Sequence, residues 1–123
     1  MSSVKIIHKA KRILEIVWDG NVAPEEVDAI NSQLLQMVKD EGMDDFSLIV
    51  DMREMKAFNP AARERLVEHQ RDIKAAGLSA AAVVVASKIS ELQLRRTAAE
   101  SQHSTETHWS SYEEALQYLT EKA

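Results

Sequence analysis

The fold of this chain is decided by the stretch Phe46-Ser47-Leu48-Ile49-Val50-Asp51-Met52, an almost continuous apolar run that ends in an aspartate. A run of this length without polar alternation predicts a central strand that is buried on both faces. Residues 80–86, which contain Val83-Val84-Val85, predict a second strand of the same kind. Because a helical segment separates the two runs, we expect them to pair in parallel.

Amphipathic helices are predicted on both sides of the first run. The earlier helix begins at Pro24, whose missing N–H is no loss at the first helical position. Its apolar side chains recur at spacings of three and four residues and form one stripe: Val27, Ile30, Leu34, Met37 and Val38. The later helix begins at Asn59-Pro60, where Asn is a cap and Pro occupies the first turn, and it runs to about residue 76.

The remaining segments complete an alternating pattern. Residues 4–8 and 13–18 predict two opening strands, with Glu15 facing outward and Asp19-Gly20-Asn21 as the stop. Ser87 caps a third predicted helix, residues 105–109 predict an edge strand, and a capping box at residues 111–114 opens a final helix. The order predicts one α/β domain over residues 1–123, with a mixed, mainly parallel sheet of about five strands and about four covering helices.

Composition excludes several functional classes. The chain has 123 residues, no cysteine, and 15 Lys and Arg against 20 Asp and Glu, for a net charge of −5. This balance argues against nucleic-acid binding, which depends on basic contacts to phosphate. The longest apolar run, residues 80–86, is too short to span a bilayer. The first residues have no apolar signal segment, so the expected location is the cytoplasm.

Catalytic and cofactor motifs are missing from the sequence. The three glycines form no phosphate-binding loop, and no G-x-S-x-G nucleophile motif occurs. His103 and His108, with Glu106 between them, fit no compact metal-binding spacing, and we interpret them as surface or edge residues. We therefore predict no metal, no cofactor and no enzymatic activity.

Two further positions allow a functional and a structural interpretation. Asp51 lies at the carboxyl end of a buried strand, where α/β proteins bind ligands. A phosphoacceptor aspartate would need a second acidic cluster for magnesium, so we predict that Asp51 accepts backbone N–H bonds near Arg53 instead. Ser87, Lys88 and Arg95 could bind an anion at a helix start, although we favour a helix cap followed by a solvated basic face.

The chain resembles a STAS domain, the fold of SpoIIAA-type anti-sigma-factor antagonists and of sulfate-transporter tails. The resemblance lies in Leu48-Ile49-Val50-Asp51-Met52, a six-residue loop, Asn59-Pro60-Ala61-Ala62, and the closing Glu114-Ala115-Leu116. It implies a non-enzymatic bacterial signalling module that binds a protein partner. The family's phosphorylated D-S-S-G motif falls on residues 59–62, where this chain has no serine.

What the resemblance carries over is a surface formed by the loop 53–58 and the start of the next helix. The predicted partner-binding residues are Arg53, Met55, Lys56, Phe58, Asn59, Ala61 and Arg63. The alternative is a small-ligand or lipid-binding protein similar to the SEC14-like members of the wider fold. That function needs a sizeable apolar pocket, whereas the helical stripes here predict cover just sufficient for a sheet. A homodimer is left open, and a small enzyme that uses Asp51 would lack a second catalytic group.

Overall fold

The computed structural model describes residues 2–86 and 106–122, which form a five-stranded sheet with helices on both faces. The elements are β1 Ser3–His8, β2 Ile13–Val22, α1 Pro24–Asp40, β3 Phe46–Phe58, α2 Pro60–Ala75, β4 Leu78–Val84, β5 Glu106–Trp109 and α3 Tyr112–Lys122. The strand order is β1-β2-β3-β4-β5; β1 is antiparallel to β2, and the other neighbouring pairs are parallel. The mixed, mainly parallel sheet is therefore confirmed. The helix predicted from Ser87 lies outside the described residues.

The two apolar runs form two of the three interior strands of the described sheet, β3 and β4, as predicted. β3 pairs with β2 and β4, and β4 pairs with β3 and β5. Leu48 and Ile49 point to opposite faces of β3 and are 1% and 0% exposed, so this strand is covered on both sides. A parallel interior strand with no polar face needs this double cover.

The helices divide between the two faces of the sheet. α1 and α2 join successive parallel strands, and right-handed crossovers to adjacent strands place both helices on one face. The core of that face includes Val27, Leu34 and Ile73 from the helices with Leu14, Ile16 and Leu48 from the sheet. On the opposite face, Ala115 and Leu119 of α3 pack with Ile13, Ile49 and Val84.

Two strands are longer than the sequence predicts. Asp19-Gly20-Asn21 does not stop β2, which continues to Val22, and residues 53–58 form the end of β3 rather than a loop. These extensions pair with each other in parallel, with irregularities between Val17 and Asp19 and between Gly20 and Asn21. The irregularities accommodate turn-forming residues without ending the ladder. Gly20 has φ +70°, a conformation that glycine adopts without strain.

Candidate functional site

The predicted partner surface divides into an anchored part and an exposed part. Arg53 is held by Asp51, and Met55 is half-buried against the core under α1 and α2. Lys56 is exposed at the end of β3. The side chain of Phe58 lies outside what the structure describes. Residues 53–58 therefore present a strand end in which only some side chains are free to meet a partner.

The start of α2 is the exposed part of this surface. The Asn59 side chain accepts a 2.8 Å hydrogen bond from the Ala62 N–H, which confirms the predicted cap. Ala62 is fully buried, whereas Ala61 and Arg63 on the same turn are exposed. One turn further, Val67 is 51% exposed, an unusual position for a large apolar side chain. The helix start thus offers small, charged and apolar groups to solvent.

Asp51 has the structural role predicted from its position. Its Oδ1 accepts from the Arg53 backbone N–H at 3.0 Å, and the Arg53 guanidinium donates to both carboxylate oxygens at 3.0 and 2.8 Å. Burial alone would raise the pKa of Asp51, but these hydrogen bonds and the Arg53 charge hold it below the ordinary 3.8. The bidentate pair fixes the direction of β3 where it leaves the core.

Glu15 is buried, contrary to the prediction that it faces solvent. It is 6% exposed, lies beneath the start of α3, and accepts a hydrogen bond from the Tyr112 hydroxyl. Lys5 approaches its carboxylate at 3.6 Å, and the Arg53 guanidinium lies 5.2 Å from the Tyr112 ring centre. Burial raises the pKa of Tyr112 well above its ordinary 10.0, and Glu15 raises it further. Sequence pattern could not reveal this cluster, because α3 arrives from the far end of the chain.

A cavity of about 610 Å³ lies between α2 and the sheet, where the sequence predicts continuous helical cover. Its walls are mainly apolar: Ile16, Trp18, Leu48, Val50, Met52, Leu66, Val67, Ile73, Leu78, Ala81 and Val83. The polar lining residues are His69, Gln70, Arg71, Lys74, Glu106 and His108. Of the side chains of α2, those of Ala62, His69 and Ile73 are buried, and the facing Ala81 is small.

His69 is the buried polar residue that α2 brings to this cavity. It is 3% exposed, its Nδ1 lies 2.8 Å from Asn31 Oδ1 on α1, and its ring stands edge-on to Trp18 at 6.2 Å. Burial lowers the pKa of His69 from 6.5 to about 4, against the opposing charge of Asp72. No partner for His69 is visible in the sequence, since Asn31 is 38 positions away.

The other polar positions considered in the sequence are the histidines near β5 and the anion-site candidates. β5 is the edge strand, as expected, but His108 is 3% exposed and lies 3.4 Å from Glu106. Within residues 2–86 and 106–122, no group of three His, Asp or Glu side chains is placed to hold a metal ion. His103 and the anion-site candidates Ser87, Lys88 and Arg95 lie outside the described residues. None of the described helices has the length and apolar character needed to cross a bilayer.

The fold and the sequence agree with one known family. A family model described as SpoIIAA-like matches residues 13–120. No curated protein matches the chain in sequence.

Solved structures share this architecture at low sequence identity. The chain is similar to an uncharacterized protein of the DUF3478 family with a SpoIIAA-like fold from Shewanella loihica, with a TM-score of 0.74 and 12% identity over 97% of this chain and 95% of that one. It is also similar to the anti-sigma factor antagonist SpoIIAA in its unphosphorylated form, with a TM-score of 0.67 and 12% identity over 98% of both chains. The Bacillus cell fate determinant SpoIIAA in the phosphorylated form gives a TM-score of 0.64 and 13% identity over 97% and 99%.

Proposed function

The chain belongs to the SpoIIAA-like family, and we propose that it is a non-enzymatic regulatory module that binds a protein partner through the start of α2. The observation that supports this most directly is the exposed first half of α2, where Ala61, Arg63 and Val67 face solvent. Interfaces combine apolar contact with arginine in this way. Within the proposal, the module acts in the cytoplasm.

We assign the partner-contact residues by their exposure and by their contacts within the chain. Lys56, Asn59, Ala61 and Arg63 are exposed and meet the partner directly. Arg53 is also exposed, although its guanidinium is bound to Asp51, whereas Met55 packs on the core beside the surface. Phe58 remains a proposed contact at the junction of β3 and α2.

Phosphorylation of a hydroxyl does not switch this surface in our proposal. SpoIIAA, which shares the fold, exists in phosphorylated and unphosphorylated forms. Residues 53–65 of this chain contain no Ser, Thr or Tyr, so no hydroxyl at the start of α2 can accept phosphate. Partner binding would then be constitutive, or controlled elsewhere in the chain.

Two variants that each replace an exposed alanine by glutamate test the proposed surface. Ala61→Glu places a charge at the centre of the proposed contact, and Ala29→Glu places the same charge on exposed α1. A photo-crosslinking residue at position 61 first identifies the partner from native lysate. Binding of the purified partner should then weaken about 30-fold or more for Ala61→Glu, since a buried unpaired charge at an interface centre costs about 2 kcal/mol or more. Ala29→Glu should bind normally with a similar melting temperature, and equal binding by both variants would contradict the proposed surface.

The cavity favours a second candidate function, the binding of a small apolar molecule. Its volume of about 610 Å³ lies within the range of about 300–1,000 Å³ that is usual for ligand pockets. Ala81→Phe would fill part of the cavity from β4, beside its register partner Leu48. Loss of small-molecule binding in this variant, with partner binding intact, would separate the two functions.

A further inference from the structure

The proton position on His69 can be worked out from its neighbours on α1 and α2. Asn31 Nδ2 lies 3.0 Å from Asp72 Oδ2, and Asn31 Oδ1 lies 2.8 Å from His69 Nδ1. A carboxylate only accepts hydrogen bonds, so the Asn31 amide must turn its NH₂ group toward Asp72. Its carbonyl oxygen then faces His69 and can only accept. His69 Nδ1 must therefore carry the hydrogen.

His69 Nε2 is consequently an unprotonated acceptor. The ring is 3% exposed, and its neutral form persists at pH 7 because the pKa is about 4. Nδ1 points to Asn31, which does not line the cavity, whereas the His69 ring does. Among the described residues, Nε2 has no hydrogen-bond partner. Because His69 lines the cavity, a molecule bound there can reach Nε2 with a hydrogen-bond donor.

We propose that His69 Nε2 accepts a hydrogen bond from the hydroxyl group of an apolar molecule that binds in the cavity. This assignment rests on the small-molecule function proposed above and adds the class of ligand, an alcohol or phenol with an apolar body. The Asp72–Asn31 pair is the positioning device, because it holds the imidazole in the tautomer that can accept.

The same geometry selects against related ligands. An ether, a ketone or a carboxylate would place its own lone pairs against Nε2 and leave both acceptors unsatisfied. Arg71 and Lys74 also line the cavity, but they are exposed residues of α2 and remain hydrated at its rim. Discrimination at Nε2 therefore depends on His69, which is far less exposed than the charged side chains at the rim.

Binding of two matched probes tests the assignment. 1-Adamantanol and its methyl ether share an apolar body that fits the cavity, and only the alcohol has a hydrogen to donate. Titrations of ¹⁵N-labelled protein followed by NMR should show that the alcohol binds about three- to tenfold more tightly, the range expected for one net hydrogen bond. The shifted amides should include those of Ala81 and Val83 on the cavity floor. In His69→Phe, both probes should bind equally, whereas the control His8→Phe should retain the preference.

The possible outcomes distinguish the hydrogen bond to His69 from the small-molecule function on which it rests. If both probes bind wild-type protein equally well, the role of His69 is overturned while the cavity function stands. If neither probe shifts the cavity amides, both are overturned. Long-range ¹H–¹⁵N spectra of the wild-type protein report the tautomer directly, without any variant or ligand. A proton on Nε2 instead of Nδ1 would overturn the assignment even if the alcohol were preferred.

Discussion

At the scale of single residues, Gly77 shows how closely the chain approaches itself where α2 turns into β4. Its φ is +119°, and a Cβ atom there would lie 2.2 Å from the Asp44 carbonyl oxygen. Gly42 has φ +63° but nothing within 4 Å of the same position. A side chain at Gly42 would therefore cause backbone strain alone, whereas one at Gly77 would cause both strain and a steric clash.

We expect Gly77→Ala to lower the free energy of unfolding by about 3 kcal/mol or more, since it combines strain with overpacking against backbone. Gly42→Ala should lose only about 1 kcal/mol, because strain acts alone there. Urea denaturation of both variants measures the difference. Equal losses would show that the Asp44 backbone yields and that the close approach is not a constraint.

His69 should make stability depend on pH within a defined window. Burial lowers its pKa from 6.5 in the unfolded chain to about 4 in the folded one, so between these values only the unfolded chain binds the proton. The free energy of unfolding that neutral His69 contributes is therefore complete above pH 6.5. It decreases below that value and is lost as pH falls through about 4. The shift corresponds to about 3 kcal/mol.

Urea unfolding at pH 7, 5.5 and 4 measures this contribution. The wild-type protein should lose stability through the series, and His69→Gln, whose amide can still donate to Asn31, should lose about 3 kcal/mol less. Asp51, whose pKa is held below 3.8, also begins to lose its contribution near pH 4, but this loss is common to both proteins and cancels in the comparison. An unchanged pH dependence in His69→Gln would show that the imidazole is not neutral in the fold.

At the scale of elements, β4 is interior because both of its edges are paired and both faces are covered. Val84 is fully buried beneath α3, so Val84→Asp places an unpaired charge in the core, a change that costs several kcal/mol. The same substitution at Val67, which is 51% exposed on α2, provides the control. Circular dichroism should show an unfolded or strongly destabilised Val84→Asp and a folded Val67→Asp. A Val84→Asp variant with the wild-type melting transition would refute the interior placement.

The docking of α3 depends on one polar contact as well as on its apolar face. The Tyr112 hydroxyl donates to the buried Glu15 carboxylate, so Tyr112→Phe leaves this charge with Lys5 at 3.6 Å as its described partner. We expect a loss of about 1–3 kcal/mol in the free energy of unfolding. Tyr118→Phe, on the same helix, removes a hydroxyl whose partner among the described residues is the exposed Lys122 at 3.3 Å, and it should cost far less. Comparable losses by chemical denaturation would mean that the contact to Glu15 adds nothing.

At the scale of the whole molecule, one sheet serves two hydrophobic clusters. Trp18 belongs to the cluster under α1 and α2, and Trp109 packs against the cluster under α3. Leu48 and Ile49, adjacent in β3, contribute to opposite clusters. Because each face depends on the same interior strands, we expect the two faces to unfold together.

Two single-tryptophan variants test this cooperativity. Trp109→Phe leaves Trp18 as the fluorescent reporter of one face, and Trp18→Phe leaves Trp109 as the reporter of the other. Within each variant, the fluorescence and circular dichroism transitions in urea should coincide, as two-state unfolding requires. Separate midpoints would show that α3 and its face form an independent folding unit.

The sequence by itself determined the features that local chemistry encodes. Continuous apolar runs identified β3 and β4 as interior strands, and Asn59-Pro60 identified the start of α2. Both signals lie within a few residues of the element they specify, since they reflect burial on two faces and the capping of free backbone groups. The alternating order of elements then predicted the mainly parallel sheet, and the resemblance of residues 48–62 to a known pattern pointed to the family.

Only the tertiary structure decided what depends on residues that are distant in sequence. The ends of β2 and β3 extend because each strand pairs with the other. The turn-forming residues Asp19-Gly20-Asn21 therefore predicted a strand end where the strand in fact continues. Glu15 is buried because Tyr112 lies above it, 97 positions later in the chain. His69 owes its neutral state to burial and its tautomer to Asn31 on another helix, and the cavity beside it lies between α2 and the sheet. Hydrogen bonding and burial between distant segments depend on three-dimensional packing. The periodicity of a single segment carries no information about that packing.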